Sequence, residues 1–175
     1  MFRIPGIRFL MGMGSILNGN TAYLDYLKSL NLEADNTILD VGTAYGSIFF
    51  ATKKYEGLNL IAMDSDPLMV GHSYVASKLM RILGNRNNMQ VLKSDSEYIN
   101  LPDDSVDFAI DSNCLMYSRD LKTVLSELRR VVKPDGQIIS TTHFDRDDFS
   151  DCARSVGFSY SLVYGQKDFV VMQNS

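Results

Sequence analysis

The stretch Ile38-Leu39-Asp40-Val41-Gly42-Thr43-Ala44-Tyr45-Gly46-Ser47-Ile48-Phe49-Phe50 decides how the chain is read. Thr37 to Val41 is a short apolar run of strand character. Residues 42–46 place two glycines in a turn, and Ser47 opens a helix read to about Lys54. A backbone passing so tightly from strand to helix points N–H groups, and the positive end of the helix dipole, at the turn. Such a turn suits a ligand carrying carboxylate or phosphate. Glycine lets the backbone approach that ligand closely.

Upstream, Asn20 caps a short amphipathic helix, Thr21 to Leu30, with Tyr23, Leu24, Leu27 and Leu30 on its apolar face. Downstream, a second strand, Leu58 to Met63, ends in Asp64-Ser65-Asp66-Pro67, and Pro67 starts a long helix to about Leu83, stopped by Gly84. A third strand, Met89 to Lys93, and a fourth, Val106 to Ile110, precede a helix over Arg119 to Val132 with Leu121, Val124, Leu125, Leu128 and Val131 on one face. Pro134-Asp135-Gly136 breaks that helix and turns into a fifth strand, Gln137 to Thr141. Asp147 to Ser155 is a short helix ended by Gly157. Strands over Tyr160 to Tyr164 and Phe169 to Met172 close the chain as an antiparallel hairpin.

Five alternations of strand and helix imply right-handed crossovers and a mostly parallel, doubly wound α/β sheet. Ligands bind such sheets beyond the C-terminal strand ends, where strand order reverses. The places to look are residues 42–47, 64–66, 94–97, 111–117 and 141–145.

The 175 residues suit one domain with a sizeable core, and 45% hydrophobic content is ordinary for a globular protein. No repeat or linker divides it: residues 1–19 read as an arm and 20–175 as a single domain. The densest basic stretch, Lys78, Arg81, Arg86 and Lys93, reads as a solvated helix face, and a net charge of -4 disfavours non-specific nucleic-acid binding. Cys114 and Cys152 are far apart with no CxxC. That argues against a zinc site or a disulfide framework and for a reducing cytoplasm. The apolar run Ile7 to Leu17, broken by Arg8, Gly12 and Gly14, is too short to span a bilayer.

Asp40-x-Gly42-x-Ala44-x-Gly46 resembles the first motif of class I S-adenosylmethionine-dependent methyltransferases. The dinucleotide fingerprint G-x-G-x-x-G would fall on Gly42, Ala44 and Ser47, where two of its glycines are missing. Four further segments resemble the same family in its order: Asp64-Ser65-Asp66-Pro67, Ser94-Asp95-Ser96, Leu101 to Phe108, and Leu128 to Gly136. The likeness covers about residues 20 to 172 and points to small members of the type 11 methyltransferase domain, poor in lid insertions. It implies a Rossmann-like sheet of seven strands with the last antiparallel. It also implies that Asp40, Gly42, Ala44 and Gly46 border the methionine part of S-adenosylmethionine. Asp64 and Ser65 would then lie at the ribose, Asp95 and Ser96 at the adenine, and Asp111 near the amino group. Two positions depart from the pattern. Ala44 stands for the middle glycine, adding one methyl, and Asp135 stands for a glycine in a turn that Asp tolerates.

The activity so implied is methyl transfer to a small or medium-sized acceptor, with S-adenosylhomocysteine as product. A base is needed only for an acceptor that arrives protonated. His143 and Tyr117 are the candidates, with Asp111 second to its cofactor role. No metal is implied. No Asp/Asn-Pro-Pro-aromatic motif follows the fourth strand, which disfavours amino methylation of DNA bases or protein glutamine, while a specific RNA or protein acceptor stays open. With few residues to spare elsewhere, the arm or a second subunit is expected to cover the acceptor, and self-association is in keeping with an apolar arm. The alternatives are a cofactor-binding subunit that supports a partner enzyme, and a nicotinamide-dinucleotide-binding domain.

Overall fold

The computed structural model describes Leu27 and residues 30–141, 147–163 and 169–174. Seven strands form one sheet: β1 (Thr37–Val41), β2 (Asn59–Asp64), β3 (Asn88–Lys93), β4 (Val106–Asp111), β5 (Val132–Ser140), β6 (Phe158–Val163) and β7 (Phe169–Asn174). Between them lie α1 (Ser47–Ala51), α2 (Pro67–Ile82), α3 (Leu121–Val131) and α4 (Phe149–Val156), with a single 3-10 turn at Leu115–Tyr117. Spatial order is β3-β2-β1-β4-β5-β7-β6. Strands β1 to β5 pair in parallel, and β7 runs antiparallel to both β5 and β6. The order reverses between β1 and β4. The turn after β1 and the loop after β4 therefore flank the crevice where such sheets take their ligands.

Strands buried on both faces divide the core into two halves. On one side α3 and α4 cover Leu39, Val41, Ile61 and Ala109; on the other Leu27, α1 and α2 cover Ile38, Leu60, Ala62 and Ile110. All five apolar positions expected on α3 are buried, each contributing about 1.5–3 kcal/mol of transfer free energy. Asp120 caps α3, its carboxylate accepting from the Thr123 N–H at 3.2 Å and the Thr123 hydroxyl at 2.6 Å. Asp66 caps α2 ahead of Pro67 by accepting from the Leu68 N–H at 2.8 Å, as the order of residues had suggested.

Several boundaries differ from the sequence expectation, α3 starting at Leu121 and β6 at Phe158 among them. Helix α1 stops at Ala51 and not near Lys54. Its last carbonyls are taken by side chains distant in sequence: buried Asn85 donates to Phe49 O at 2.9 Å and buried Asn87 to Thr52 O at 3.0 Å. Strand β5 starts at Val132, five residues early. Val132 pairs with Val106 and Gln137 with Phe108, so Lys133 to Gly136 are carried as a bulge. A Cβ on Gly136 would lie 2.7 Å from Asp107 O and from Val132 Cγ1, so this glycine is needed for space. Helix α4 begins at Phe149 and not at Asp147. The helix read over Thr21 to Leu30 lies, apart from Leu27 and Leu30, outside the described residues, as does the arm.

Candidate cofactor site

The turn of residues 42–46 is built from left-handed backbone. Gly42 has φ 67°, Ala44 φ 51° and Gly46 φ 71°. At Gly42 a Cβ would overlap the Cβ and Sγ of Cys114, which fills the space beneath the turn from the β4 loop. At Gly46 it would lie 3.1 Å from Phe49 Cδ2 and 3.2 Å from Ala76 Cβ. The methyl of Ala44 is therefore only part of that departure's consequence. The residue also holds a backbone conformation that costs a residue bearing a Cβ about 1–2 kcal/mol. Ala44→Gly is expected to stabilise the protein by about 1 kcal/mol, since relief of strain outweighs the added freedom of the unfolded chain. A shift of the urea midpoint at unchanged slope checks it.

Hydrogen bonds fix the turn from both sides. Thr43 N–H donates to Met63 O at 2.9 Å, and Ala44 N–H to Asp64 Oδ2 at 3.1 Å. The Ser73 hydroxyl of α2 reaches Ala44 O at 3.3 Å, and the Tyr45 ring stacks on His72 with centroids 5.2 Å apart. His72, unassigned from sequence, thus braces the turn. With α1 only five residues long, the helix dipole behind this site is weaker than the sequence implied.

Asp40, at the end of β1, is 2% exposed and accepts a 2.6 Å hydrogen bond from the Thr43 hydroxyl. Burial, aided by the nearby Asp111 and Asp64 charges, pushes its carboxyl up to about 7, against the lowering effect of Thr43 and the Ile48 N–H. Asp111, at the end of β4, is as deeply buried. One oxygen accepts from the Cys114 and Leu115 N–H groups at 2.7 and 3.0 Å, the other from the Ser140 hydroxyl at 2.5 Å. Its carboxylate organises the β4 loop and clips β4 to β5.

Asp64 is half-buried at the end of β2, its Oδ1 accepting from Asp66 N–H at 3.0 Å, beside an exposed Ser65. Asp95 is exposed after β3 and accepts from Glu97 N–H at 3.0 Å, with Ser96 half-buried next to it. Tyr117 is 79% exposed on the 3-10 turn. The structure so brings Asp40, residues 42–46, Asp64, Asp95, Asp111 and Tyr117 to one end of the sheet, while His143 lies outside the described residues. Thr43, Cys114 and Ser140 were missed from sequence. The Asp40-x-x-Thr43 spacing is a local signal for the first; the other two meet their partners only through the fold. Asn113, at φ 63° and hydrogen-bonded to the Thr141 hydroxyl from its N–H at 3.0 Å, marks the same rim.

Burial, then the carboxylates of Asp111, Asp64, Asp40 and Asp95, push the Cys114 thiol up to about 12. Asp111, buried at the end of β4, and Asp64, half-buried at the end of β2, place carboxyl groups at this end of the sheet, which favours a cation over the phosphates of a dinucleotide. The sulfonium and ammonium groups of S-adenosylmethionine fit it. Among the described residues no cluster of His, Cys, Asp and Glu could hold a metal ion, and no helix is long and apolar enough to cross a membrane.

Comparison with known proteins agrees. The methyltransferase domain family matches residues 39–140. The chain is 26% identical over 122 residues to YcgJ, an uncharacterized methyltransferase of Bacillus subtilis (strain 168); the match takes in 70% of this chain and 46%, just under half, of that relative's length. A SAM-dependent methyltransferase from Aquifex aeolicus superposes with a TM-score of 0.70 at 24% identity, covering 98% of this chain and 97% of that one. A Haloferax volcanii methyltransferase, solved in complex with its Trm112 activator, superposes at 0.67 with 16% identity over 84% and 86% of the two chains. With the glycine turn, the seven-stranded order and the carboxylates in place, the chain belongs to the methyltransferase domain family, whose cofactor is S-adenosylmethionine.

Proposed function

We propose that this chain transfers a methyl group to a small or medium-sized acceptor seated beyond the ends of β4 and β5. The observation that carries the reading is the left-handed turn of residues 42–46, tied to Asp64 and set between buried Asp40 and Asp111 where the strand order reverses, which suits a cationic methyl donor at the crevice. When bound, S-adenosylmethionine supplies an electrophilic methyl on a sulfonium, which leaves as the neutral thioether of S-adenosylhomocysteine. Asp64 holds the ribose diol beside Ser65, Asp95 and Ser96 border the adenine, and the backbone of residues 42–46 borders the methionine end above Asp40. Asp111 is a positioning residue near the amino group, since both of its oxygens serve the loop and β5. Departure of a neutral thioether needs no proton, so alignment and exclusion of water are the main tasks of the protein. For an acceptor that arrives protonated, Tyr117 and His143 are the bases proposed.

Only seven residues separate Ser140 from Asp148, too few for a lid of their own, so residues 1–19 are assigned the cover of the acceptor. Turnover to S-adenosylhomocysteine over a panel of acceptors tests the activity, with RNA and protein acceptors as the competing outcome. Removal of residues 1–14 is expected to spare affinity for S-adenosylmethionine and to lower turnover at least about a hundredfold, as loss of water exclusion and alignment would. Unchanged turnover refutes the cover.

A further inference from the structure

We propose that the outer face of α2 is a self-association surface, on which two copies of this chain pair antiparallel about a two-fold axis at Val75. The polarity of this helix is inverted. Its buried positions are Ser73, Ala76, Ser77 and Met80, while Leu68 (50%), Tyr74 (55%), Val75 (51%) and Ile82 (82%), with Leu83 (50%) just beyond, are exposed. At 3.6 residues per turn, Leu68, Val75 and Ile82 fall within about 20° of one line along the helix. The helix packs on β2 and on the edge strand β3, so its outer face looks away from the sheet.

The occupant follows from the spacing. Leu68 and Ile82 stand seven residues on either side of Val75, and Gly71 and Leu79 four on either side. In an antiparallel pair centred at Val75, each Leu68 meets Ile82 of the other copy, and each Leu79 meets Gly71. Nothing lies within 4 Å of a Cβ placed on Gly71, so a leucine can enter there. Charge agrees with the arrangement. Lys78, its Nζ 5.1 Å from the Tyr74 ring, falls beside Gly71 and Tyr74 of the other copy and not beside a second lysine. Antiparallel helix dipoles attract. The exposed apolar side chains amount to on the order of 400–500 Å² per copy, and Tyr74 and Leu83 stand off the line, so a pair buries at most about 900 Å², below the 1,200–2,000 Å² of stable complexes. The pair is therefore weak and reversible, with a measurable Kd.

Sedimentation equilibrium of the full chain gives that Kd, and Val75→Lys is expected to raise it at least tenfold. Cysteine linking fixes the geometry, in a Cys152→Ser background. Val75→Cys lies on the axis and is expected to form a disulfide with itself. Leu68→Cys alone is not, because its counterpart lies about 21 Å away along the helix; mixed with Ile82→Cys it is expected to link. A monomer up to about 1 mM, a dimer that survives Val75→Lys, or self-linking of Leu68→Cys as fast as that of Val75→Cys overturns the proposal. So does flotation with anionic phospholipid vesicles, lost in Val75→Lys, without self-association, which would assign the stripe to a lipid surface.

Discussion

Asp40→Asn is expected to stabilise the ligand-free protein by about 2–4 kcal/mol at pH 8 and by almost nothing at pH 4. The folded carboxyl titrates near about 7 because burial, then Asp111 and Asp64, oppose its charge, whereas the unfolded carboxyl titrates near 3.8. Below 3.8 both states hold the proton and nothing is lost. Between the two values the unfolded chain ionises while the folded one does not, so stability falls as pH rises, by up to about 1.4 kcal/mol per unit. Above about 7 both are ionised and the loss levels off. Asparagine keeps an acceptor for the Thr43 hydroxyl and removes the titration. The check is the difference between wild-type and variant unfolding free energies from pH 4 to pH 8, since titrations of groups that do not interact with Asp40 cancel in it. A flat difference would mean that Asp40 is not the buried acid described here.

Gly42→Ala should have a comparable effect of opposite sign, costing about 2–5 kcal/mol. Its Cβ would overlap both side-chain atoms of Cys114, an overpacking that costs about 1–3 kcal/mol. A left-handed φ of 67° adds about 1–2 kcal/mol for any residue bearing a Cβ. The two parts separate in a cycle. In a Cys114→Gly background the overlap is gone, so Gly42→Ala should cost only the backbone part, about 1–2 kcal/mol. Equal costs in both backgrounds would show that Cys114 does not pack beneath the turn.

Much of this architecture was legible in the chain because its signals are local. Alternation of apolar strands with amphipathic helices, Pro67 after Asp66, and the turn before the closing strand each act over a few residues. They yield the element order and the antiparallel seventh strand. What escaped is decided at long range. Helix α1 ends early because Asn85 and Asn87 take its carbonyls from more than thirty residues away. Val132 joins the sheet because Val106 offers it a ladder position. The site follows the same rule. The positions of the acids could be read from motif spacing, but the tie of Asp111 to Ser140 and the seat of Cys114 under Gly42 exist only once β4 and β5 lie side by side. Of the basic stretch read as a solvated helix face, Lys78 and Arg81 are exposed on α2, whereas Arg86 lies beyond the helix and Lys93 ends β3. The apolar line that Lys78 and Arg81 border was hidden, because a helix with serine and alanine on its buried side gives a misleading pattern.

As proposed above, the crevice between β1 and β4 holds S-adenosylmethionine with the Asp64 carboxylate on its ribose. Calorimetric titration of the whole chain with S-adenosylmethionine and with NAD, repeated on Asp64→Ala, tests it most directly. Saturable binding of S-adenosylmethionine is expected, with none of NAD and a roughly 5- to 150-fold weaker Kd in the variant, equivalent to about 1–3 kcal/mol for the lost charge-assisted hydrogen bonds. Tight NAD binding, or an unchanged Kd for S-adenosylmethionine in Asp64→Ala, would contradict it.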